Sequence, residues 1–581
     1  MALYDKASLV LIPSGTKAGT VYSQKPTSGD GDFDFTRSTY ATRVNSQGLI
    51  EKERSNLLLQ SNNFDTTWTR TSVSTPTGGQ TGYDGSNDAW LLEATGTSAR
   101  LVQNNTTSGV QTFSCYAKAG TANYLAFYNI LTSGDAPRAW FNLSNGTIEN
   151  ENNEINANIE SVGSGWYRCS LTYNATLSNV RIYVAVTAGT FSDTSSGDNI
   201  YIQDTQLEQG LVATDYIETT TSAVYTGITD NVPRLDYDGD CPSLLLEPQR
   251  TNLIDNSEYI DDWSIYASSV TLTPNYIESP EGVQNGYRVQ RNAVTYARFD
   301  KTLSGTSAQT YTFSVFVKGD DVLKLRIDAP ADIGEAYINC STGATTNSSL
   351  DPMDSISSIS YGNGWYRFIC EKTYSNAPTI ARVYVMDSVG GESNTNPADV
   401  QVYGLQLEAG SYATSYIPTY GTSVTRAAET NSVTGISDLI GQTEGTWFLD
   451  YVYLGLEAVN QNWFALQDTS GSDRILFYSS GNTSELRFLF AANGSTLIDN
   501  SSVIAETSGT RYKVAVSYKS GAISIYINGN EIASYNTAFT FGNEVSLFTF
   551  KQSNQQPAAR VNQTLLLKTA LTDTELADLT T

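Results

Sequence analysis

The 581-residue chain contains no histidine. This absence excludes Ser-His-Asp and Cys-His nucleophile arrangements, and every metal site built on imidazole. Glycine-rich GxGxxG and P-loop nucleotide motifs are absent as well. Catalysis by two carboxylates stays possible in principle, but we expect a protein that is not an enzyme and that uses neither a metal nor another cofactor.

Positive charge is scarce: 34 Lys and Arg stand against 60 Asp and Glu, for a net charge of −26. So acidic a chain is repelled by nucleic-acid phosphates and by anionic membrane surfaces, and no local Lys/Arg cluster offsets the repulsion. The sequence also lacks an apolar run as long as a membrane helix. Its start, MALYDKASLVLIPSG, has neither the basic residues nor the long apolar core of a signal peptide, so we expect that it is not one. We predict neither nucleic-acid binding nor membrane insertion, and we expect assembly in a cytoplasm.

What the sequence does contain is an internal repeat. GSGWYRCSLTYN at 163–174 returns as GNGWYRFICEKTY at 362–374, and QLEQGLVATDYIETT at 206–220 returns as QLEAGSYATSYIPTY at 406–420. The segments that lead into the two copies, LIEKERSNLL and LLEPQRTNLI, also match. Blocks that recur in the same order at nearly constant spacing indicate one module used twice.

Composition and alternation favour strands over helices. The chain has 36 tyrosines and 45 glycines, and β-forming runs are separated by Gly, Asn and Ser turns about every ten to fifteen residues. In TFSCYAK, Phe113, Cys115 and Ala117 share one face of a strand. The sequence predicts an all-β protein of tandem antiparallel β-sandwiches, with two duplicated jelly rolls followed by a concanavalin A-like sandwich.

The repeat sets the predicted domain boundaries. We expect an N-terminal attachment segment with a leading hairpin at 1–53, module one at 54–220, a hairpin linker at 221–250, module two at 251–420, a linker at 421–437 and a terminal sandwich at 438–581. The first segment is too short to bury a core alone. It is therefore expected to pair with a partner chain or to lie on module one, unless it is a disordered leader.

Two features of the terminal and linker segments are specific enough to predict. Thr572 and Glu575 in TDTELADL predict a capped helix at the end of the chain. In the hairpin linker, Asp236, Asp238 and Asp240 resemble the start of a calcium loop, but the glutamate that closes a twelve-residue loop is missing. We favour a plain Asp-Gly hairpin turn there, and whether an ion occupies it stays open.

The five cysteines show no CxxC spacing. Cys115 aligns with Val315 of module two, and Cys169 aligns with Phe368. Because apolar residues replace them, we expect these thiols and Cys370 to be small buried hydrophobes rather than disulfides or metal ligands.

Two blocks carry a family resemblance. A hairpin ending in LLEPQRTNL, followed by a sandwich ending in QLEAGSYATSYIPT, resembles a carbohydrate-binding-like module of tailed-bacteriophage virion proteins. VAVSYKSGAISIYINGNEIA and LLLKTALTDTELADL are similar to concanavalin A-like lectin and laminin-G-like domains. The resemblance implies a virion appendage that contacts host or environmental glycans. The Asp, Asn and His ligands of legume-type lectins have no match, so it implies no metal-dependent lectin site.

The candidate sugar contacts are mainly aromatic. In the terminal domain, Trp463, Asp468 and Tyr478 are predicted to line one rim of the sandwich, where a sugar ring can stack on an aromatic face. Trp166 and Trp365 hold the same place in the two modules, just before an apolar strand. For these two, a core position is favoured over a sugar platform.

Glu208 and Glu408 in the repeated QLE are the acids to consider for catalysis. An active-site glutamate duplicated in tandem modules would be unusual, so an ion pair with the repeated arginine of WYR is the simpler expectation.

The predicted function is structural display and adhesion to glycans in a phage virion, on a head or tail fibre. We expect a homo-oligomer, such as a trimer, that is bound to other virion proteins through residues 1–53. Two alternatives stay open: a polysaccharide depolymerase that uses paired carboxylates, and a capsid decoration or spacer without a ligand.

Overall fold

The computed structural model describes residues 3–152, 154–239, 241–292, 295–455, 461–479, 485–550 and 558–581. Within these ranges the chain forms antiparallel β-sandwiches in tandem, which confirms the predicted fold class. The helical elements are short: α-helices Leu3–Lys6 and Asp573–Thr580, and 3-10 turns Ile260–Asp262, Tyr266–Ser268 and Ser437–Leu439. The last α-helix has the predicted capping box of Thr572 and Glu575. No helix in these ranges is long and apolar enough to cross a membrane.

Module one is a sandwich of two antiparallel sheets. In spatial order, one sheet contains Asn156–Gly163, Trp166–Asn174, Val110–Ala119, Asn199–Gln209, Ala89–Glu93 and Thr77–Gln80. The facing sheet contains Thr147–Asn152, Arg138–Asn142, Tyr124–Tyr128, Leu177–Ala185, Arg100–Asn104 and Thr69–Thr71, with Ile130–Leu131 beside Leu177–Ala185. Phe113, Cys115 and Ala117 lie in the core between the sheets, on the face that the alternation predicted.

Module two repeats this arrangement strand by strand. One sheet contains Ser355–Ser360, Tyr366–Thr373, Thr310–Gly319, Asp399–Ala409, Gly286–Arg291 and Val270–Ile277. The facing sheet contains Thr345–Asn347, Asp332–Asn339, Val322–Ala329, Ile380–Met386, Arg298–Thr302 and Ser264–Ile265. The first sheet of each module, which contains the strand of the WYR motif, is called the WYR sheet below. The repeat in the sequence is thus a repeat of the fold.

The terminal sandwich takes strands from distant parts of the chain. One sheet contains Arg234–Tyr237, Pro242–Leu246, Ala558–Leu567, Glu444–Gly455, Arg511–Lys519, Ala522–Ile527 and Asn530–Tyr535, with Leu9–Leu11 also paired to Ala558–Leu567. The other contains Thr16–Lys17, Thr20–Val21, Phe33–Thr36, Thr430–Thr434, Leu547–Thr549, Gln461–Gln467, Arg474–Ser479, Glu485–Ala492 and Ser495–Ala505. A single apolar core joins Leu9 and Phe33 to Trp447 and Phe548.

The position of residues 1–53 differs from the sequence expectation. Residues 3–36 of this segment complete the terminal sandwich. The leading hairpin, Arg43–Val44 with Ile50–Glu51, follows them. The physical reason is burial: a few apolar residues cannot form a core alone, but they can complete a core that residues 430–581 begin. The attachment role of the segment stays a prediction.

Both modules are therefore long insertions in the terminal sandwich. The hairpin linker between them also pairs with this sandwich, through Pro242–Leu246. Module one leaves and returns through a two-stranded neck, Arg54–Asn56 with Val224–Thr226. Module two has the equivalent neck, Arg250–Asn252 with Val424–Arg426.

A buried ionic cluster holds these connections together. Arg234 lies 2.7 Å from Glu247 and 2.5 Å from Glu429. Arg37 lies 2.9 Å from Glu429, and Arg426 lies 2.8 Å from Glu247. Burial alone would raise the pKa of Glu429, but Arg234 and Arg37 outweigh it and hold the pKa below its ordinary value. The N-terminal segment and the two linkers cannot separate here without leaving buried charges unpaired.

Candidate ligand-binding grooves

The three residues predicted to line a rim of the terminal sandwich do not form one site. Trp463 belongs to strand Gln461–Gln467, and its side chain lies outside the described residues. Tyr478 lies opposite Asn462 in the neighbouring strand, whereas Asp468 follows the far end of the first strand. Trp463 and Asp468 are therefore separated by about 16 Å of strand.

Asp468 has a structural role at that far end. It is buried and accepts hydrogen bonds from Ser470 Oγ at 2.6 Å and Asn543 Nδ2 at 2.9 Å. Asp473, buried beside it, accepts the backbone N–H groups of Asn493 and Asn543. Because these donors satisfy the carboxylates, the two aspartates hold neighbouring turns together.

Trp166 and Trp365 occupy equivalent places on the outer faces of the WYR sheets. Each side chain is 1% exposed. Trp166 packs in a small cluster with Tyr116, and Trp365 packs in the equivalent cluster with Phe316. Both are too buried to offer a ring face to a sugar, and both lie outside the main cores of their modules.

Glu208 and Glu408 make equivalent structural hydrogen bonds in the two modules. Glu208 accepts the backbone N–H of Thr214 at 2.9 Å and its hydroxyl at 2.5 Å, and Glu408 accepts the same groups of Thr414 at 2.8 and 2.6 Å. The arginine of WYR donates instead to the carbonyl oxygen of that threonine. The predicted ion pair between this arginine and the glutamate was wrong, because a threonine lies between them. Burial raises the pKa of Glu208.

The aspartates of the hairpin linker bind an arginine. Asp236 accepts a hydrogen bond from Nε of Arg560 at 2.8 Å and another from the backbone N–H of Val44 at 2.7 Å. Asp238 lies 3.4 Å from the same guanidinium, and Asp240 lies outside the described residues. Across the ranges described above, no group of three or more acidic or cysteine side chains is placed to hold a metal ion.

A groove of about 430 Å³ lies on the outer face of the WYR sheet of module one. Its floor is formed by strands Asn156–Gly163 and Trp166–Asn174, and module two supplies one wall. Most of the polar lining consists of neutral amide and hydroxyl side chains: Asn156, Asn158, Ser170, Thr172, Asn275 and Gln284. Glu160 and Arg168 add one charge of each sign.

Two polar atoms of this lining are buried without a hydrogen-bond partner in the described chain: Nε of Arg168 and Oδ1 of Asn275. Arg168 uses Nη2 to donate to the carbonyl oxygen of Thr214, and Asn275 uses Nδ2 to donate to that of Leu211. Each of these two groove-lining side chains therefore keeps one donor or acceptor that no described residue satisfies.

An equivalent groove of about 320 Å³ lies on module two. The leading hairpin, the hairpin linker and the terminal sandwich enclose it. The strand pairing shows that Ser170 and Thr172 of module one are equivalent to Ile369 and Glu371 of module two. The duplicated faces have therefore diverged: the first is polar, and the second mixes apolar and acidic side chains.

The sequence did not single out the buried acids Glu258 and Glu281. Lys52 Nζ lies 2.8 Å from Glu258 Oε1 and also contacts Glu281, and Arg54 lies 2.9 Å from Glu281. Burial raises the pKa of Glu258, whereas Lys52 and Arg54 overcome the effect of burial on Glu281 and lower its pKa. This pair anchors the leading hairpin to module two.

The groove residues were also missed from the sequence. Ser170 and Thr172 alternate with Cys169 and Leu171, so a strand pattern places them on an outward face. Alternation cannot distinguish an outward face that meets solvent from one that another domain encloses. The groove therefore becomes visible only in the tertiary structure.

Neither a protein-family profile nor a characterised protein matches the sequence of this chain. Among solved structures, the CBM40 module of the Ruminococcus gnavus IT-sialidase, bound to α2,3-sialyllactose, is 16% identical over 24% of this chain and 84% of its own, with a TM-score of 0.21. Domain 4 of AbnA, a GH43 extracellular arabinanase of Geobacillus stearothermophilus, in complex with arabinotriose, is 17% identical over 30% and 82%, with a TM-score of 0.23. A Trypanosoma rangeli sialidase mutant displaying trans-sialidase activity is 11% identical over 94% and 97%, with a TM-score of 0.22. At such TM-scores these similarities carry no conclusion about function.

Proposed function

We propose that this protein is a non-catalytic appendage of a bacteriophage virion that binds a glycan in the groove of module one. The observation that carries the proposal is the polar lining of this groove, on a sheet face where module two supplies one wall. Sugars present many hydroxyl groups, which amide and hydroxyl side chains bind as both donors and acceptors.

The unpaired atoms of Arg168 and Asn275 support a hydroxyl-rich ligand. One is a buried donor and the other a buried acceptor, and a single sugar hydroxyl can serve either. Leaving such atoms unpaired is unfavourable, so a ligand that satisfies both gains affinity. The groove volume of about 430 Å³ is typical of small-molecule sites and leaves room for a short oligosaccharide.

The number and placement of carboxylates in the groove of module one favour glycan binding over glycan hydrolysis. Most glycosidases place two acids on either side of the bond to be cleaved, about 5–10 Å apart. Among the described residues that line the groove, Glu160 is the one acid. Glu258 and Glu281 are buried against Lys52 and Arg54.

The virion setting belongs to the proposal and rests on the motifs LLEPQRTNL and QLEAGSYATSYIPT. Two further parts of the proposal are attachment to other virion proteins through residues 1–53 and assembly as a homo-oligomer such as a trimer. Electron microscopy of phage particles with this segment labelled would test the first two, and sedimentation of the full chain would test the third.

Glycan-array screening followed by calorimetric titration of the full chain tests the binding proposal. We expect the double variant Asn158→Ala, Ser170→Ala to bind the selected glycan about tenfold more weakly, since each lost hydrogen bond costs about 0.5–1.5 kcal/mol. Glu218→Gln, on an exposed side chain of module one, is the matched control. If no glycan on the array binds, a role as a spacer without a ligand would be favoured. If the protein releases reducing sugar from a polysaccharide, the depolymerase alternative would be favoured.

A further inference from the structure

We propose that the groove of module two is a second binding site, for a ligand that joins an apolar group to an ammonium or guanidinium group. A lysine or arginine side chain in an extended peptide has this chemistry. The proposal does not depend on glycan binding, because it concerns the diverged copy of the groove on the other module.

The floor of the groove is apolar and partly open. Ile359 is 49% exposed, and Ile369 and Tyr361 line the groove beside it. In module one, the positions equivalent to Ile359 and Ile369 are occupied by the polar residues Glu160 and Ser170. An aliphatic group that covers Ile359 removes apolar surface from water, which favours binding.

Glu371 gives the groove a carboxylate without a cation. It lines the groove, and its side chain has no hydrogen bond or ion pair with any residue in the described ranges. Burial raises its pKa to about 7, and the neighbouring Asp354 adds to this rise. A cationic ligand would relieve both effects by pairing with the ionised form.

The cations that line the groove already have partners. Arg43 lies 2.8 Å from Glu51, Arg560 lies 2.8 Å from Asp236, and Arg367 donates to the carbonyl oxygen of Thr414 at 2.7 Å. Arg367 has no carboxylate partner in the described chain, but it is only 3% exposed, whereas Glu371 is half-buried. The unmatched charge that a ligand in the groove reaches more easily is therefore negative. Charge complementarity favours a cationic ligand over an anionic one.

Tyr412 is an independent indication of a ligand. Its side chain lines the groove and is only 6% exposed, and its hydroxyl has no hydrogen-bond partner in the described chain. A buried hydroxyl without a partner is unfavourable. A peptide amide or carbonyl in the groove would supply the missing hydrogen bond.

The strand beside the groove favours a peptide. Ser355–Ser360 is the edge strand of the WYR sheet of module two, and its sequence SISSIS contains neither charge nor proline to discourage pairing. An extended peptide can add to this edge by main-chain hydrogen bonds, and its side chains can then enter the groove.

Calorimetric titration of the full chain with acetyl-leucyl-lysine amide tests the proposal, and acetyl-leucyl-norleucine amide is the uncharged control ligand. We expect the lysine peptide to bind at least tenfold more tightly, and Glu371→Gln to abolish this difference. Ile359→Ser should weaken the binding of both peptides. Glu278→Gln, on an exposed glutamate outside the groove, should leave both affinities unchanged.

Equal affinity for the two peptides, no binding of either, or an unchanged preference in Glu371→Gln would overturn the proposal. Circular dichroism would establish that each variant is folded. The module-one variant Asn158→Ala, Ser170→Ala should bind the lysine peptide normally, so the failure of one proposal can be told from the failure of the other.

Discussion

Lys52 and Glu258 are 206 positions apart in the chain, yet Nζ of one lies 2.8 Å from Oε1 of the other. Both side chains are buried. Glu258 also accepts hydrogen bonds from the hydroxyls of Tyr403 and Tyr420. The segment that leads into module one is thereby fixed to module two, and two modules that leave the terminal sandwich through narrow necks are held together.

Lys52→Met should destabilise the protein strongly. The substitution removes a cation and leaves two carboxylates buried, and breaking one side of a buried pair costs about 3–5 kcal/mol. Differential scanning calorimetry should show a lower transition temperature. The control Arg43→Met breaks a partly exposed pair with Glu51 and should cost less than about 1 kcal/mol. Equal losses in the two variants would contradict the anchoring role of Lys52.

Glu506 should make the terminal sandwich less stable as the pH rises. Burial raises its pKa to about 8, against the opposing hydrogen bond from the Tyr451 hydroxyl at 2.5 Å. The folded state therefore holds the proton more tightly than the unfolded chain, in which a glutamate titrates near pH 4.3. Its stabilising contribution is complete below about pH 4 and is lost as the pH rises towards 8.

Glu506→Gln should remove this pH dependence. Thermal melts of both proteins at pH 5, 6.5 and 8 would measure it, with the wild type losing up to about 1.4 kcal/mol per pH unit relative to the variant. Parallel pH profiles in the two proteins would show that the carboxyl group titrates normally.

Trp166→Ala should lower stability because the indole fills a closed cluster with Tyr116. Truncation of a buried tryptophan costs about 3–5 kcal/mol, and Trp166→Phe should cost less. Chemical denaturation measures both losses. If Trp166 were a sugar platform instead, the alanine variant would keep its stability and lose glycan affinity.

Thiol labelling should distinguish one cysteine from the other four. Cys115, Cys169, Cys340 and Cys370 are buried free thiols, and Cys241 is exposed. Burial raises the pKa of Cys115, so its reactive thiolate is suppressed as well. Ellman's reagent should modify one thiol of the native protein and all five after denaturation. Rapid native labelling of more than one would mean that a module opens.

Several elements could be predicted from the sequence because they depend on neighbouring residues. The hairpin strands Arg234–Tyr237 and Pro242–Leu246 flank the Asp-Gly turn as predicted. Phe113 and Cys115 face the core because side chains alternate along a strand. The buried positions of Cys115 and Cys169 were also predicted correctly, from their replacement by Val315 and Phe368 in the repeat.

The candidate site could not be predicted in the same way. Trp463, Asp468 and Tyr478 are close in sequence, but the pairing of strands places Asp468 at the opposite end from Tyr478. The WYR arginine and the QLE glutamate recur together, yet both bind the threonine of the repeated AT, Thr214 or Thr414, rather than each other. Recurrence identifies positions that matter to the fold and does not reveal which atoms meet.

The sequence by itself determined that this chain is all-β, that one module is used twice, and that Phe113, Cys115 and Ala117 share the core face of their strand. The first and third features follow from composition, turn residues and the two-residue period of a strand, all of which are local, and the second follows from the recurrence of whole sequence blocks. Only the tertiary structure decided that Leu9–Leu11 pairs with Ala558–Leu567, and that neighbouring domains border a groove on the outer face of each WYR sheet. Such contacts join residues hundreds of positions apart, and they are fixed by which apolar surfaces can be buried together, a property of the whole chain.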